Sequence, residues 1–347
     1  MDEKLHIKSL LPSELETVLQ EMGEPKYRAK QIFRWLHLGV SSFEEMSDLS
    51  KALRAKLAER FCLTVPQILR KQVSAKDGTI KYLFGLQDGN SIESVLMKYE
   101  HGYSICISTQ AGCKMGCVFC ASFDPAKSRN LTPAEILDEI IFAQKDSSVR
   151  ISNIVLMGTG EPLDNYTNVR QFLRLVSHPD GLNIGMRHIS LSTCGLVPMI
   201  DELAKDKLQL TLSISLHAPN SPLRSQLMPV NRRYDLSLLM AACKRYFKAT
   251  GRRISFEYAM IGGVNDTRLC AQQLVQLLKG FPCHVNLIPL NHTEGSPLKP
   301  STREDLRRFQ DTLLKNGINA TVRRTLGSDI SASCGQLRRQ VQNEVTE

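Results

Sequence analysis

The sequence predicts an α/β protein: a partial barrel of six β/α units, preceded by a small N-terminal helical domain and a β-rich linker. Three observations predict this organisation. Apolar residues recur at helical spacing over residues 1–72, alternating segments with Asp-Gly turns fill residues 73–110, and strand-like segments take turns with helical ones over residues 111–347. Repeated β/α units form a parallel sheet, and six of them are too few to close an eight-fold barrel.

The N-terminal domain is expected to hold three helices. Leucines and Val18 recur at helical spacing over residues 9–20, a second helix runs from about Pro25 through Trp35, and a third spans about 49–60. The exposed basic residues of the second helix are either ordinary solvated charges or contacts to phosphate. These residues are Lys26, Arg28, Lys30 and Arg34.

The β-rich linker is expected to join this helical domain to the barrel. Asp77-Gly78 and Asp88-Gly89 are turn dipeptides, and the segments around them alternate as strands do. The strands are expected over residues 80–86, 92–98 and 103–108.

The barrel begins with a helix whose start the sequence marks clearly. Thr132-Pro133-Ala134-Glu135 combines a capping box with proline at the first helical position. Ligands of such folds bind at the carboxyl ends of the parallel strands. Strands are expected over 153–157, 187–192, 208–216, 254–260, 284–288 and 320–323, with helices over 133–145, 165–177, 196–205, 235–248, 266–279 and 302–316.

Composition limits the classes of function. The chain has 347 residues, of which 42% are hydrophobic, and it carries a net charge of +9. We find no apolar run long enough for a transmembrane helix and no signal peptide, so we expect a cytoplasmic protein without a membrane partner. The positive charge fits a polyanionic partner such as RNA, or merely a solvated basic surface.

Three of the ten cysteines form the strongest motif. Cys113, Cys117 and Cys120 have the spacing C-x3-C-x2-C. Thiolates hold zinc or iron–sulfur clusters, and a structural zinc ion needs four protein ligands. Three thiolates on a four-iron cube leave one iron open, which is typical of catalysis. The alternatives are three core thiols, or a zinc site whose fourth ligand is distant in sequence.

This spacing, after a strand and before a capped helix, resembles that of the radical S-adenosylmethionine (SAM) superfamily. The resemblance implies a radical SAM barrel, a 4Fe-4S cluster held by the three cysteines, and SAM bound to the open iron. SAM cleavage there would release a 5′-deoxyadenosyl radical. Gly160 and Glu161 follow a strand and resemble the motif that binds the SAM amino group. Further cofactor-binding residues are expected at strand ends: Ser192, Ser215, Leu216, His217 and Asn291.

Segments outside the cysteine motif resemble the RlmN/Cfr family of RNA methyltransferases over nearly the whole chain. The most specific is the C-terminal run from Arg323 to Leu337, which contains Cys334. Others are residues 25–32, 93–98, 215–220 and 286–291.

The family resemblance assigns roles to three further residues. Adenine C2 and C8 are electron-poor and cannot attack a SAM methyl group as ordinary nucleophiles do. The family uses two SAM molecules: the first methylates Cys334, and the radical made from the second removes a hydrogen from that methyl group. The carbon radical adds to adenine, Cys106 attacks the sulfur of Cys334 to form a transient disulfide, and Glu93 accepts a proton. Otherwise, Cys334 is a free thiol, Cys106 a core residue and Glu93 an ion-pair partner.

The RlmN branch methylates adenine C2 in 23S ribosomal RNA and, in some members, a transfer RNA adenine. The Cfr branch methylates C8 and confers antibiotic resistance. Gly160-Glu161-Pro162-Leu163 resembles the RlmN form more closely, so we expect C2 chemistry. We also expect a monomer with an electron donor such as flavodoxin or ferredoxin, and an N-terminal domain that binds RNA. Alternatives from other classes are a non-catalytic RNA-binding protein with a structural metal, and a dithiol redox protein using Cys106 and Cys334.

Overall fold

The computed structural model describes residues 4–100, 102–126, 128–291 and 297–332. Their strands are β1 (Leu5–His6), β2 (Phe61–Cys62), β3 (Gln67–Val73), β4 (Ile80–Gly85), β5 (Ser91–Tyr99), β6 (Gly102–Cys106), β7 (Gln110–Ala111), β8 (Arg129–Asn130), β9 (Ile151–Leu156), β10 (Ile189–Thr193), β11 (Thr211–Ser215), β12 (Ile254–Met260), β13 (Cys283–Pro289) and β14 (Ala320–Val322). Their α-helices are α1 (Pro12–Glu21), α2 (Tyr27–His37), α3 (Lys51–Arg60), α4 (Pro133–Ser147), α5 (Tyr166–Ser177), α6 (Val197–Lys205), α7 (Ser221–Leu227), α8 (Leu236–Thr250), α9 (Arg268–Leu278) and α10 (Arg303–Lys315).

One ten-stranded sheet forms the centre of the molecule. Its strand order is β14-β13-β12-β11-β10-β9-β6-β5-β4-β3. The pairs from β6 through β14 are parallel, whereas β3, β4, β5 and β6 pair antiparallel. Six helical crossovers join the seven parallel strands, as the sequence predicts. Residues from β5 and from the segment that directly follows β14 line the same cavity, so the open sheet curves around it as a partial barrel.

The β-rich segment differs from the prediction in its place in the fold. It extends the main sheet directly, and β6 is the first strand of the parallel row. Its first strand begins at Gln67, inside the stretch expected to be helical, where exposed and half-buried side chains alternate. Antiparallel hairpins can extend a parallel sheet without a crossover helix, which explains the short connections. The division of the chain into three domains stays a prediction.

Helix α4 begins as its sequence predicts. The Thr132 hydroxyl accepts a hydrogen bond from the Glu135 amide at 3.2 Å, and the Glu135 carboxylate accepts one from the Thr132 amide at 2.8 Å. Pro133 occupies the first turn. This capping box satisfies amides that have no partner within the helix, and so it fixes where the chain turns after the cysteine loop.

The N-terminal helices share the core of the barrel. Leu19 of α1, Phe33 of α2 and Leu57 of α3 are buried in the same apolar cluster as the barrel strands and helices. A buried ion pair joins this segment to α4, with Lys8 Nζ 2.6 Å from Asp138 Oδ1. Among the described residues, no helix has the length and apolar character needed to cross a membrane.

Candidate active site

A cavity of about 360 Å³ opens at the carboxyl ends of the parallel strands. It brings together most of the residues that the sequence singles out. These are Glu93, Cys106, Cys113, Cys117, Cys120, Gly160, Glu161, Ser192, Ser215, His217 and Asn291.

Of the remaining predicted residues, Leu216 does not belong to that lining and Cys334 cannot be assigned to it. The side chain of Leu216 is buried in the apolar core. Cys334 lies outside the described residues, although Ala332, two positions earlier in the chain, lines the cavity.

The cysteine loop is a tight turn packed onto α7. Gly112 has a φ of +81°, and a Cβ there would lie 2.8 Å from the Asp124 carbonyl oxygen, so only glycine fits without strain. The Cys120 amide donates to the Cys117 carbonyl at 3.1 Å, and the Val118 amide donates to Leu227 at 3.1 Å. These bonds hold the cysteine backbone while the thiols face the cavity.

The electrostatic environment of the thiols fits a cationic metal cluster. Burial raises the pKa of Cys113 to about 11 and that of Cys117 to about 12; the neighbouring cysteines add to both shifts, and a hydrogen bond from the Met115 backbone partly opposes the shift of Cys113. Such thiols become thiolates when a metal supplies positive charge. Across the described ranges, no three His, Cys, Asp or Glu side chains converge closely enough to hold one ion. A four-iron cube spans a larger volume, so its three ligands need not meet at one point.

Glu161 ties together the turns that follow β9 and β10. Its buried carboxylate accepts hydrogen bonds from the Cys194 amide at 2.7 Å and the Leu163 amide at 3.0 Å. Burial raises the pKa of this carboxyl. Gly160 has a φ of +107°, and a Cβ there would lie 2.6 Å from the Gln110 side chain. The predicted Gly160–Glu161 turn is therefore closely packed at the cavity wall.

His217 lies in the cavity wall as a neutral ring. Its Nδ1 accepts a hydrogen bond from the Ala259 amide at 2.9 Å, so the proton of the neutral imidazole lies on Nε2. Burial, with a smaller contribution from Arg224, lowers the pKa of His217 to about 3. Ser192 Oγ and Ser215 Oγ lie 3.4 Å apart on the adjacent strand ends. Together these side chains offer hydroxyl and N–H groups to a polar cofactor.

Sequence reasoning missed Arg224, which lies behind the cavity wall formed by the ends of β10 and β11, here called the cavity edge. It is fully buried, and its guanidinium donates to the carbonyls of Cys194 at 2.6 Å, Ser215 at 3.1 Å and Leu216 at 3.2 Å. These three bonds join the ends of β10 and β11. A signal was present: Arg224 shares a helical face with Leu227, three positions later, where apolar residues are usual.

Sequence reasoning also missed Glu257, which lines the cavity from β12. Its carboxylate accepts from Asn286 Nδ2 at 2.8 Å and Ser255 Oγ at 3.0 Å, and burial raises its pKa. The signal was strand alternation, since Ser255, Glu257 and Ala259 point to one face.

The antiparallel strands supply the opposite wall. Val95 pairs with Cys106 across β5 and β6, and Glu93 lies two residues before Val95, so all three side chains share the cavity face. Lys81 Nζ lies 3.7 Å from Glu93 Oε1, and both side chains are buried. Lys81, on β4, is a further residue that the sequence analysis missed.

The fold and the cysteine-rimmed cavity define the class of the protein, which is a radical SAM enzyme. Residues 107–271 match the family model of the radical SAM superfamily. Residues 6–63 match the model described as the ribosomal RNA large subunit methyltransferase N-terminal domain. Membership of the superfamily implies a 4Fe-4S cluster and SAM as cofactors, as the cysteine spacing predicts.

Comparisons over the whole chain narrow the class further. A Clostridium novyi protein, described as a probable dual-specificity RNA methyltransferase RlmN, is 52% identical over 94% of this chain and 95% of its own length. An Alkaliphilus oremlandii protein with the same description is 54% identical over 97% and 98% of the two chains. The crystal structure of a radical SAM methyltransferase from Sphaerobacter thermophilus is 45% identical, with a TM-score of 0.90 over 96% and 98% of the chains. The chain belongs to the RlmN family of radical SAM methyltransferases.

Proposed function

We propose that this enzyme methylates C2 of an adenine in 23S ribosomal RNA, with transfer RNA as a second substrate. The supporting comparison is the description shared by its relatives, which are dual-specificity RNA methyltransferases. The supporting observation is that one cavity collects the cluster cysteines, Cys106 and Glu93. A structural-metal protein would have no need of Cys106 and Glu93 beside its metal ligands, so this arrangement favours the catalytic function.

The parallel wall of the cavity is the part that binds the cofactors. Cys113, Cys117 and Cys120 would hold the cluster, and the Gly160–Glu161 turn would contribute to binding SAM. When bound, the cluster and SAM supply the methyl group and the radical chemistry. The buried wall excludes water, which protects reactive species from side reactions.

The antiparallel wall is the part that completes methyl transfer. Cys334 carries the methyl group as S-methylcysteine, and it follows Ala332 of the cavity lining by two residues. Cys106, as the thiolate, attacks the sulfur of Cys334, so that a disulfide forms as the bond from that sulfur to the transferred carbon breaks. The carbon leaves with the bonding electron pair and takes up a proton to become the methyl group on the base. Glu93, on the same face as Cys106, accepts a proton during this release.

The other proposed partners follow from the same chemistry. The cluster needs one electron for each radical, and a flavodoxin or a ferredoxin is the proposed donor. The N-terminal helices are the proposed RNA-holding element, and the target adenine must leave its stack to reach the cavity. The enzyme is proposed to act as a monomer in the cytoplasm.

The test uses anaerobically purified, iron-reconstituted enzyme with a chemical reductant, SAM and a 23S ribosomal RNA fragment. Mass spectrometry should find 2-methyladenosine and 5′-deoxyadenosine. The Cys334→Ala variant should make no methylated adenosine, and Cys106→Ala should accumulate a covalent protein–RNA adduct because nothing releases the base. Cys62→Ala is the matched control, since Cys62 is a half-buried thiol outside the cavity.

Two results would contradict the proposal. The appearance of 8-methyladenosine would assign the enzyme to C8 chemistry. Intact SAM and unmodified RNA with fully loaded enzyme would exclude methyl transfer to this RNA altogether. Transfer RNA in a parallel reaction tests the second substrate.

A further inference from the structure

The segment that leads towards Cys334 is held by a turn far away in sequence. Residues 327–332, here called the docked segment, lie against the β3–β4 turn, residues 74–79. The Gly327 amide donates to Asp77 Oδ2 at 2.8 Å. In the opposite direction, the Ala75 amide and the Ser74 hydroxyl donate to the Asp329 carboxylate at 2.9 and 2.7 Å.

These bonds are reciprocal, which fixes the register of the two segments. The turn offers a carboxylate to an amide of the docked segment, and the docked segment offers a carboxylate to an amide and a hydroxyl of the turn. Hydrogen bonds to charged acceptors are shorter and stronger than neutral ones. A slip of one residue would break all three bonds together. The docked segment therefore has one defined position on the hairpin.

Lys81 extends this contact from the surface into the cavity wall. Its Nζ donates to the Ser331 carbonyl at 2.7 Å and lies 3.7 Å from Glu93 Oε1. Only about 1% of the Lys81 side chain is exposed, so its charge is shielded from water and these oxygen atoms help to balance it. One buried cation thus contacts both the docked segment and the carboxylate proposed as the base.

We propose that Lys81 and the β3–β4 turn are positioning elements that hold the docked segment, and through it the chain that leads to Cys334, at the cavity wall of Glu93 and Cys106 for methyl transfer. This inference rests on the proposed function. Cys334 follows Ala332 by two residues, and two trans peptide steps span at most about 7.6 Å between Cα atoms. Fixing Ser331 and Ala332 therefore limits where the methylated sulfur can lie. Lys81 is a positioning residue, because it acts through Ser331 and Glu93.

The test compares three variants of the full-length, cluster-loaded enzyme. Lys81→Met keeps most of the apolar side chain and removes the charged amine, and Asp329→Ala removes the surface bonds at an exposed position. Lys71→Met is the matched control, because Lys71 lies on the same hairpin and pairs with Asp146 at 2.6 Å, away from the docked segment. The central readout is the amount of methylated adenosine made per 5′-deoxyadenosine.

If Cys334 is misplaced, SAM is still cleaved to 5′-deoxyadenosine, but less of the radical leads to methylated adenosine. We expect the ratio to fall roughly tenfold in Lys81→Met and about threefold in Asp329→Ala, with iron content unchanged, because small misplacements of reacting groups are costly. Hydrogen–deuterium exchange should speed up across residues 327–332 in both variants. Lys71→Met should match the wild type in the ratio and in exchange.

The outcomes separate this inference from the function it rests on. Wild-type ratios in both Lys81→Met and Asp329→Ala would overturn the positioning role while leaving the proposed function in place. Loss of iron and of thermal stability in Lys81→Met, with a normal ratio in Asp329→Ala, would overturn it in favour of a purely structural lysine. A wild-type enzyme that makes no methylated adenosine would overturn both proposals.

Discussion

Two regions of the molecule bury polar side chains in different ways. At the cavity edge, Glu161, His217 and Arg224 bond to backbone amides and carbonyls near the carboxyl ends of the strands and in the loops that follow them. At the interface between the N-terminal segment and α4, Lys8 makes two bonds to Asp138 and one to the partly buried Thr64 carbonyl at 3.0 Å. The first arrangement determines the path of loops, whereas the second joins two surfaces that are otherwise apolar.

This difference predicts how each region tolerates substitution. A backbone carbonyl that loses its buried donor cannot be removed by a second substitution. We therefore expect few substitutions at the cavity edge to be tolerated. A buried ion pair can be replaced as a unit by apolar side chains of similar volume, often without loss of stability. The cavity edge therefore depends on specific hydrogen bonds, whereas the interface depends mainly on side chains that fill the same volume.

The largest expected effect is that of Arg224→Met. Three buried carbonyls lose their donor, at roughly 1–3 kcal/mol each, so we expect the free energy of unfolding to fall by about 5 kcal/mol. Anaerobic urea denaturation of the cluster-loaded enzyme measures this change. Arg245→Met is the matched control, because Arg245 forms an exposed pair with Asp201 and should change little. Equal stabilities of the two variants would show that the edge does not depend on its buried cation.

The second prediction contrasts the interface with that edge. Lys8→Met alone leaves the Asp138 carboxyl buried without its partner and should cost about 3 kcal/mol. Lys8→Met combined with Asp138→Leu should restore stability to within about 1 kcal/mol of the wild type. The same denaturation series completes the double-mutant cycle. A double variant as unstable as the single one would mean that the interface, like the edge, requires its polar groups.

The sequence predicts the barrel and most of the residues that meet in the cavity, and it does so for a physical reason. Cysteines at fixed spacing and the Gly160 turn are chemically distinctive, and helix α4 begins at a recognisable capping box. Lys81, Arg224 and Glu257 have no comparable motif, and the spacing signals at Arg224 and Glu257 are weak because a charged residue in a strand or helix ordinarily points to solvent. Only the fold shows that these three face inward. The position of the β-rich segment was missed because strand alternation does not say which sheet a strand joins.

The smallest of these effects concerns His37, at the N-terminal interface. Burial lowers its pKa to about 4, and its Nδ1–H donates to the Phe33 carbonyl at 2.9 Å. An unfolded histidine titrates near 6.5. Between these values the unfolded chain binds more protons, so the free energy of unfolding falls as the pH is lowered.

From pH 7 to pH 5 this one ring should remove about 2 kcal/mol of stability, and His37→Gln should abolish that part of the pH dependence. Asp138, whose pKa burial raises to about 6, acts in the opposite direction below that pH. Comparing the variant with the wild type at each pH cancels the contribution of Asp138. If both proteins lose the same stability, the folded protein protonates His37 freely, and the interface is more open to water than its apolar packing indicates.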